Sequence, residues 1–240
     1  MSSALSSGTG QRIVDALLAR IEAGEWPANA RLPVERELAE LFACTRITLR
    51  QALQQLEADR RIYRENRRGW FVSAAPIRYN ANSIEGFMQY VAAQGHAPRT
   101  ELLSAQRQPA GPQYAALLGL EDPETLVFVL QRRRSAGRRA LMLETNVLLE
   151  SWAPGLLEQN LEGSLSALLA RHGRQQASSR LEMSPSSFSP AQAPLLYTTA
   201  GMPCFRLQRV GFDHAGRGVE LDIECWRHDA LVVTVDVQAP

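Results

Sequence analysis

The chain has 240 residues, of which 45% are hydrophobic, and its formal net charge is +1. This length and apolar content allow two modest domains, each with a core of its own. The near-neutral charge argues against a protein that is coated in nucleic acid, so any nucleic-acid binding should be local.

The sequence carries no signal for membrane insertion, secretion or metal binding. Residues 1–10 are small and polar, and no apolar stretch is long enough to span a bilayer. Cys44, Cys204 and Cys225 lie far apart without paired ligand spacing, so neither a metal site, a cofactor nor a disulfide framework is expected. We therefore expect a cytoplasmic protein with no membrane partner.

The N-terminal part of the chain is predicted to begin with two helices. Apolar residues recur at helical spacing over residues 11–24, where Gly24 provides the stop signal. A short second helix is predicted over residues 35–42, with an inward face made of Leu38, Leu41 and Phe42.

A third helix is predicted to begin at Thr45, whose hydroxyl can accept a hydrogen bond from a free amide of the first turn. Its core-facing residues are predicted to be Leu49, Ala52, Leu53 and Leu56. Its outward face carries Arg46, Arg50, Gln51, Gln54 and Ile47, a set that suits phosphates and base edges in a DNA major groove. An ordinary amphipathic surface helix fits this pattern equally well. Because only two residues separate the helices, the pair is typical of a helix-turn-helix.

Two short strands are predicted over residues 62–64 and 70–72, around a charged turn, and together they indicate a β-wing. From residue 46 to residue 68 there are seven arginines and three acidic residues, which gives a local net charge of 7 − 3 = +4. The wing residues Arg67 and Arg68 are predicted either to reach DNA phosphates or the minor groove, or to form a solvated charged turn.

These elements resemble the winged-helix domain of the GntR family of bacterial transcription regulators, over about residues 11–73. The motifs are LPVERELA at residues 32–39, TRITLRQAL at residues 45–53 and RRGWFV at residues 67–72. The resemblance implies a regulator, not an enzyme, that binds double-stranded operator DNA as a homodimer reading two half-sites. The DNA contacts are expected at Arg36, Arg46, Thr48 and Arg50, and in the wing at Arg68 and Gly69. The sequence departs from the family at Val34, where Ser is usual, and at Arg67, where the wing usually has its first Gly.

Residues 74–82 lack periodicity, contain Pro76 and are predicted to form a linker between domains at residues 1–73 and 83–240. Residues 82–85 resemble a capping box that opens a helix ending at Gly95. Further helices are predicted over residues 113–118 and 165–171, and strands over residues 126–134, 140–148, 204–212, 219–226 and 231–237. This order predicts an antiparallel α+β domain.

Two of these strands place charge on a single face. Because side chains alternate along a strand, Arg132 and Arg134 share a face of one strand, and another strand presents Glu220, Asp222, Glu224 and Trp226. If both faces line one cavity, the arginines suit an oxyanion, the carboxylates an amine, and Trp226 an apolar or cation–π wall. If they line nothing, they form cross-strand salt bridges on a wet sheet face.

The second half of the chain resembles the UTRA effector-binding domain of the HutC branch of the GntR family, over about residues 83–238. The motifs include GHAP at residues 95–98, LLGL at residues 117–120, GSLSALLARHG at residues 163–173 and DIECWRHD at residues 222–229. The ligand positions of that branch fall on Arg132, Arg134, Glu144, Ser164, Glu220 and Trp226. UTRA domains are similar in fold to the enzyme chorismate lyase, but no nucleophile–base pair can be assembled here, so no catalytic residue is predicted.

Within that branch, TRIT, RRGWFV and DIECWRHD look most like the phosphonate-utilisation regulators, which respond to 2-aminoethylphosphonate. The resemblance implies a phosphonate on Arg132, Arg134 and Ser164, and an ammonium on Glu144 or on the acidic strand. Ser164 opens a helix, where free amides and the positive end of the dipole favour an oxyanion. The alternative effectors are a phosphosugar or a carboxylate such as urocanate, so in each case a small anion or zwitterion is expected.

Overall fold

The structure of the protein is a computed structural model that describes residues 2–83 and 85–237, with the side chains described from residue 8 onward. The chain divides into two compact units, Met1–Pro76 and Ile77–Pro240. In the described part of the chain, no helix is both long enough and apolar enough to cross a membrane.

Unit 1 consists of helices followed by a two-stranded wing. Its elements are α1 (Ser2–Glu22), α2 (Glu35–Leu41), α3 (Arg46–Ala58), β1 (Ile62–Glu65) and β2 (Gly69–Val72). The two strands pair antiparallel, with Ile62 opposite Val72 and Glu65 opposite Gly69. The predicted winged-helix pattern is confirmed, although α1 begins well before the predicted first residue, Gln11.

Helix α3 forms as the sequence predicts. The Thr45 hydroxyl oxygen accepts a hydrogen bond from the Thr48 amide at 3.2 Å and caps the first turn. The four predicted core residues of α3 are buried, whereas Ile47 on the outer face is 73% exposed. The apolar stripe therefore fixes which side of α3 remains available to a partner.

The prediction for Leu41 in α2 is wrong, because this residue is 48% exposed. Leu38 and Ala39 are buried, and Phe42 packs partly buried against them. At about 100° per residue these three fall within one sector of about 100°, whereas Leu41 lies about 60° outside it, on the Leu38 side. The buried sector of α2 is therefore shifted toward Ala39 and away from Leu41.

Unit 2 is an α+β domain, which confirms the predicted fold class. Its strands are β3 (Ile77–Asn80), β4 (Pro98–Pro109), β5 (Leu126–Ala136), β6 (Arg139–Leu149), β7 (Ser178–Ser187), β8 (Pro203–Phe212), β9 (Gly218–Arg227) and β10 (Leu231–Thr234). Its helices are α4 (Phe87–Ala93), α5 (Gly111–Leu118) and α6 (Leu165–Arg171), with 3-10 turns at Leu156–Glu158 and Ala193–Leu196. Over the described residues, six strands form an antiparallel sheet in the order β4-β5-β6-β9-β8-β7, and β10 pairs with β3 in parallel.

Three strands, β3, β4 and β7, are not predicted: β4 and β7 show no clear alternation of apolar and polar residues, and β3 alternates over only four residues that follow Pro76. The linker prediction for residues 74–82 is wrong over Ile77–Asn80, which pairs with β10 and buries Ile77 and Tyr79. The predicted capping box is also wrong as a helix start, since Gly86 is the N-cap of α4. Ile84, which belongs to that motif, lies outside the described residues.

Two helices cover one face of the main sheet and leave a polar gap between them. Phe87 of α4 packs in a cluster with Trp226 of β9. Leu168 of α6 packs in a separate cluster with Phe128 of β5. The strand positions between these two apolar clusters carry charged side chains on the same face.

The core assignment of unit 1 can be tested on α3 alone. Leu49→Ala should lower the free energy of unfolding by about 2–5 kcal/mol, because a fully buried Leu leaves a cavity when it is truncated. Urea denaturation followed by circular dichroism measures the change. Ile47→Ala on the same helix is the matched control and should stay within about 0.5 kcal/mol of the wild type. Equal losses in the two variants would contradict the assigned core face.

Candidate functional site

The charged faces of β5 and β9 meet at one cavity. It encloses about 460 Å³, including space open to solvent. Seven of the eight residues predicted to bind the effector line it: Arg132, Arg134, Glu144, Ser164, Glu220, Asp222 and Glu224. The predicted charges therefore surround a concave site and do not lie on an open, wet sheet face.

Glu144 holds the two predicted arginines together at the base of the cavity. Its carboxylate lies 2.7 Å from Arg132 Nη2 and 2.9 Å from Arg134 Nη2. All three side chains are buried. Burial raises the pKa of Glu144, but the two guanidinium groups outweigh it and hold the pKa below its ordinary value. Glu144 is thus the counter-ion of both arginines, which leaves the predicted ammonium position to the β9 carboxylates.

The remaining donors of Arg132 fix the segment that leads into α6. Its Nε donates to Asn146 Oδ1 at 2.8 Å. Its Nη1 donates to the carbonyl oxygens of Leu161 at 3.3 Å and Gly163 at 3.4 Å. Ser164 follows at once, and its hydroxyl accepts a hydrogen bond from the Ala167 amide at 3.2 Å. The buried arginine therefore positions the start of α6 at the edge of the cavity.

Arg134 also has its donors engaged by the protein. Nε donates to Glu144 at 3.0 Å, and Nη1 donates to the Thr100 hydroxyl. Its guanidinium carbon lies 5.0 Å from the centroid of the Phe87 ring. Arg134 is thereby clamped between the sheet and α4.

Three carboxylates on β9 face the cavity, and each accepts a hydrogen bond from an uncharged side chain. The donors are Gln176 to Glu220, Asn146 to Asp222 and Trp226 to Glu224. None of the three carboxylates forms an ion pair with a residue that the structure describes. Burial is the largest cause that raises the pKa of each, and neighbouring carboxylates raise it further, to about 7 for Glu224. The charges of Arg132 and Arg209 lower the pKa of these carboxyls, but they do not offset burial, and neither arginine pairs with this row of carboxylates.

Trp226 does not form the predicted wall of the cavity. It is completely buried, and it is not among the described lining residues. Helix α4 covers this end of β9, so Trp226 lies beside Phe87, with 6.1 Å between the ring centroids. Its indole N–H donates to Glu224 at 2.6 Å. The prediction of an apolar or cation–π wall is therefore wrong, and Trp226 orients a carboxylate.

The predicted DNA-binding residues lie on the outer side of α2, α3 and the wing. Arg36, Arg46 and Arg50 are exposed, and Thr48 is half-buried at the start of α3. In the wing, Arg68 Nη1 lies 2.7 Å from Glu65. The concentrated positive charge of this unit is thus presented on the side where the helix pair and the wing are exposed.

Glu35 connects the elements of this surface. Its carboxylate accepts hydrogen bonds from Arg50 Nε at 2.7 Å and from Trp70 Nε1 at 3.3 Å. Burial raises the pKa of Glu35, but these hydrogen bonds outweigh it and keep the pKa below its ordinary value. One carboxylate therefore holds the start of α2, the outer face of α3 and the wing strand β2 together.

The wing turn explains the departure from the family pattern at Arg67. This residue has φ = +61°, a left-handed conformation in which Gly is ordinarily favoured. Gly69 has φ = +103°, and a Cβ there would lie 3.3 Å from Arg31 Nε. Arg67 thus adopts the backbone shape of the usual Gly and adds a cation, while Gly69 is required by its own geometry.

Comparison with known families identifies both units. The family model described as "Bacterial regulatory proteins, gntR family" matches residues 9–72. The model described as "UTRA domain" matches residues 93–231. The chain belongs to the GntR family. It carries the UTRA domain as its second unit, in agreement with the resemblance described above.

The relatives of this GntR-family chain match it along most of its length. The uncharacterized HTH-type transcriptional regulator YihL of Escherichia coli strain K12 is 31% identical over 211 residues, which cover 87% of this chain and 89% of YihL. The transcriptional repressor NagR of Bacillus subtilis is 27% identical, covering 91% and 90%. The crystal structure of PhnF from Mycobacterium smegmatis has a TM-score of 0.68 and 29% identity, covering 95% of this chain and all of that one. The protein is a DNA-binding transcription regulator and not an enzyme.

Among the residues of the GntR-family chain that line the cavity without having been predicted, Asn146 and Arg209 lie nearest in the sheet to the β9 carboxylates. Asn146 is two positions after Glu144 on β6 and bonds both Arg132 and Asp222, so strand alternation could have revealed it. Arg209 lies on β8, directly opposite Asp222. Strand alternation within β8 does not reveal this residue, because its neighbour is known only once β8 is paired with β9.

The raised pKa of Glu224 gives a pH dependence of stability. An unfolded chain ionises this carboxyl near its ordinary pKa of 4.5, whereas the folded protein does so at about 7. The ligand-free protein should therefore lose stability as the pH rises from about 5 to about 7, with little further loss from this group above that. Thermal unfolding across this range should show the fall in Tm, and Glu224→Gln should reduce it.

Glu182→Gln on the exposed strand β7 serves as the control and should follow the wild-type profile. If Glu224→Gln retains the full fall in Tm, the assigned titration is wrong.

Proposed function

We propose that the protein is a sequence-specific, homodimeric transcription regulator controlled by a small zwitterionic effector, with 2-aminoethylphosphonate or a related phosphonate as that effector. Its targets would be phosphonate uptake and degradation genes. The observation that carries the proposal is the row of carboxylates on β9 that accept hydrogen bonds from neutral donors and form no ion pair with a described residue.

An effector amine completes this row. Buried carboxylates that accept hydrogen bonds from amides and an indole are stabilised in the ionised form when an ammonium group joins them. Glu144 is already neutralised by Arg132 and Arg134, so the carboxyl groups that remain available to a cation are Glu220, Asp222 and Glu224. The cavity therefore favours a ligand with a cationic end.

The arginines and the start of α6 favour an anionic end. Arg132, Arg134 and Ser164 contribute positive potential and a hydroxyl at one side of the cavity. Arg132, Glu144 and Glu224 occupy directly opposite positions on the adjacent strands β5, β6 and β9. Since neighbouring strands are about 4.8 Å apart, the two ends of a short zwitterion can be held at once.

The alternative effectors match the charges of this cavity less well. A carboxylate such as urocanate, or a phosphosugar without an amine, would add negative charge beside the β9 carboxylates and leave them without a cation. An amino-sugar phosphate carries both charges and is the alternative that fits this electrostatic pattern. Effector size, and not charge alone, separates it from 2-aminoethylphosphonate.

On the DNA side, we propose that the outer face of α3 enters the major groove and that the wing contacts the DNA backbone. Arg46 and Ile47 are exposed there, and Arg46 forms no ion pair with a residue that the structure describes. Two copies are proposed because helix-turn-helix proteins usually read two half-sites about one helical turn apart.

Calorimetry with 2-aminoethylphosphonate, an amino-sugar phosphate and urocanate tests the effector. We expect 2-aminoethylphosphonate to bind, and to bind more tightly at pH 8 than at pH 6, because the ammonium requires ionised carboxylates and that of Glu224 has a pKa of about 7. Glu224→Gln should weaken binding about tenfold or more, as expected for the loss of a charged hydrogen bond, whereas Glu182→Gln should not. Binding of urocanate alone would refute the zwitterion proposal.

A mobility assay with DNA from the region upstream of the gene tests the recognition helix. Arg46→Ala should weaken binding by about tenfold or more, the effect of losing one phosphate or base contact. Arg12→Ala removes another exposed arginine, which lies on α1, and should bind as the wild type does. Equal affinities for all three proteins would mean that α3 does not contact DNA through Arg46.

A further inference from the structure

Arg209 differs from the other two arginines that line the cavity. It is half-buried on β8, and it forms neither a hydrogen bond nor an ion pair with any residue that the structure describes. Its guanidinium carbon lies 5.6 Å from the centroid of the Tyr79 ring. An aromatic ring thus packs against this side chain while its N–H donors retain their hydrogen-bonding capacity.

Arg132 and Arg134 have fewer N–H donors left to bond a ligand. Both donate to Glu144, and their other nitrogen atoms donate to Asn146, to backbone carbonyls or to Thr100. An anion that binds these two arginines directly has to compete with a buried carboxylate. An anion that binds Arg209 breaks no hydrogen bond or ion pair with a described residue.

The place of Arg209 in the sheet also suits a short zwitterion. It lies directly opposite Asp222 on the neighbouring strand, so a cation and a carboxylate stand side by side on the same face. Directly opposite residues have Cβ atoms about 4.5–5.5 Å apart, which is close to the reach of a two-carbon spacer between an amine and an oxyanion. The two side chains nevertheless do not pair with each other, so each retains capacity for a ligand.

We infer that Arg209 is a specificity-determining residue that binds the oxyanion of the effector directly, with Asp222 beside it taking the ammonium. The ligand class is a short amino-phosphonate or amino acid with about two atoms between its charges. Arg209 thereby adds a direct contact to the positive potential that Arg132 and Arg134 contribute from β5. This inference rests on the proposed function, because it assumes that the cavity binds a zwitterion.

Calorimetry on the full-length protein tests the inference with 2-aminoethylphosphonate, ethylphosphonate as the anion alone and ethylamine as the cation alone. Arg209→Gln should lose about tenfold to hundredfold in affinity for both phosphonates, since charged hydrogen bonds have this value. It should bind ethylamine at least as well as the wild type, because a nearby positive charge has been removed. Arg209→Lys should show an intermediate loss, since Lys lacks the planar fork.

Arg206→Gln is the matched control, because Arg206 lies three positions earlier on β8, opposite Cys225, and so on the other face of the sheet. It should bind all three compounds as the wild type does. Thermal unfolding of each variant separates lost binding from lost folding.

The outcomes distinguish this inference from the proposed function. Wild-type binding of 2-aminoethylphosphonate with equal binding by Arg209→Gln overturns the inference and leaves the proposed function intact. A loss of equal size for ethylamine and the phosphonates also overturns it, because Arg209 would then only maintain the shape of the cavity. If the wild type binds none of the three compounds, both ideas are wrong.

Discussion

In unit 2, the buried carboxylate of Glu144 determines how the sheet, helix α6 and the cavity fit together. An isolated ionised group is very unfavourable inside a protein, and a buried guanidinium group needs a counter-ion and acceptors for its remaining donors. Glu144 satisfies two arginines at once, which is possible only if β5 and β6 keep the register that places Arg132 opposite it. Arg132 then reaches the carbonyl groups that precede α6. Sheet register, helix position and cavity shape are therefore coupled through one network of charged hydrogen bonds.

The network at Glu144 is balanced, whereas the row of carboxylates on β9 is not. Glu220, Asp222 and Glu224 have partners that can orient them but cannot compensate their charge. A protein that evolved for stability alone would gain by replacing such groups with apolar ones. Their presence beside a cavity is more easily understood as a feature of ligand recognition, where the missing cation arrives with the effector.

Much of this architecture could be predicted from the sequence, because its strongest signals are local. Alternation identified β5, β6 and β9 and placed Arg132, Arg134 and Glu224 on faces that meet at the cavity. Two failures come from information that a single strand does not contain. Trp226 shares the face of Glu224 but is covered by α4, and Arg209 joins the site only through the pairing of β8 with β9.

The contact between Glu35 and Arg50 affects the entropy of recognition in the other unit. A long arginine side chain ordinarily samples many rotamers, and ordering it upon association lowers affinity. Here Glu35 already restrains Arg50 from α2, with Trp70 of the wing bonded to the same carboxylate. Much of that ordering takes place when the domain folds. The outer face of α3 is therefore prearranged before a partner arrives, by a carboxylate that belongs to another helix.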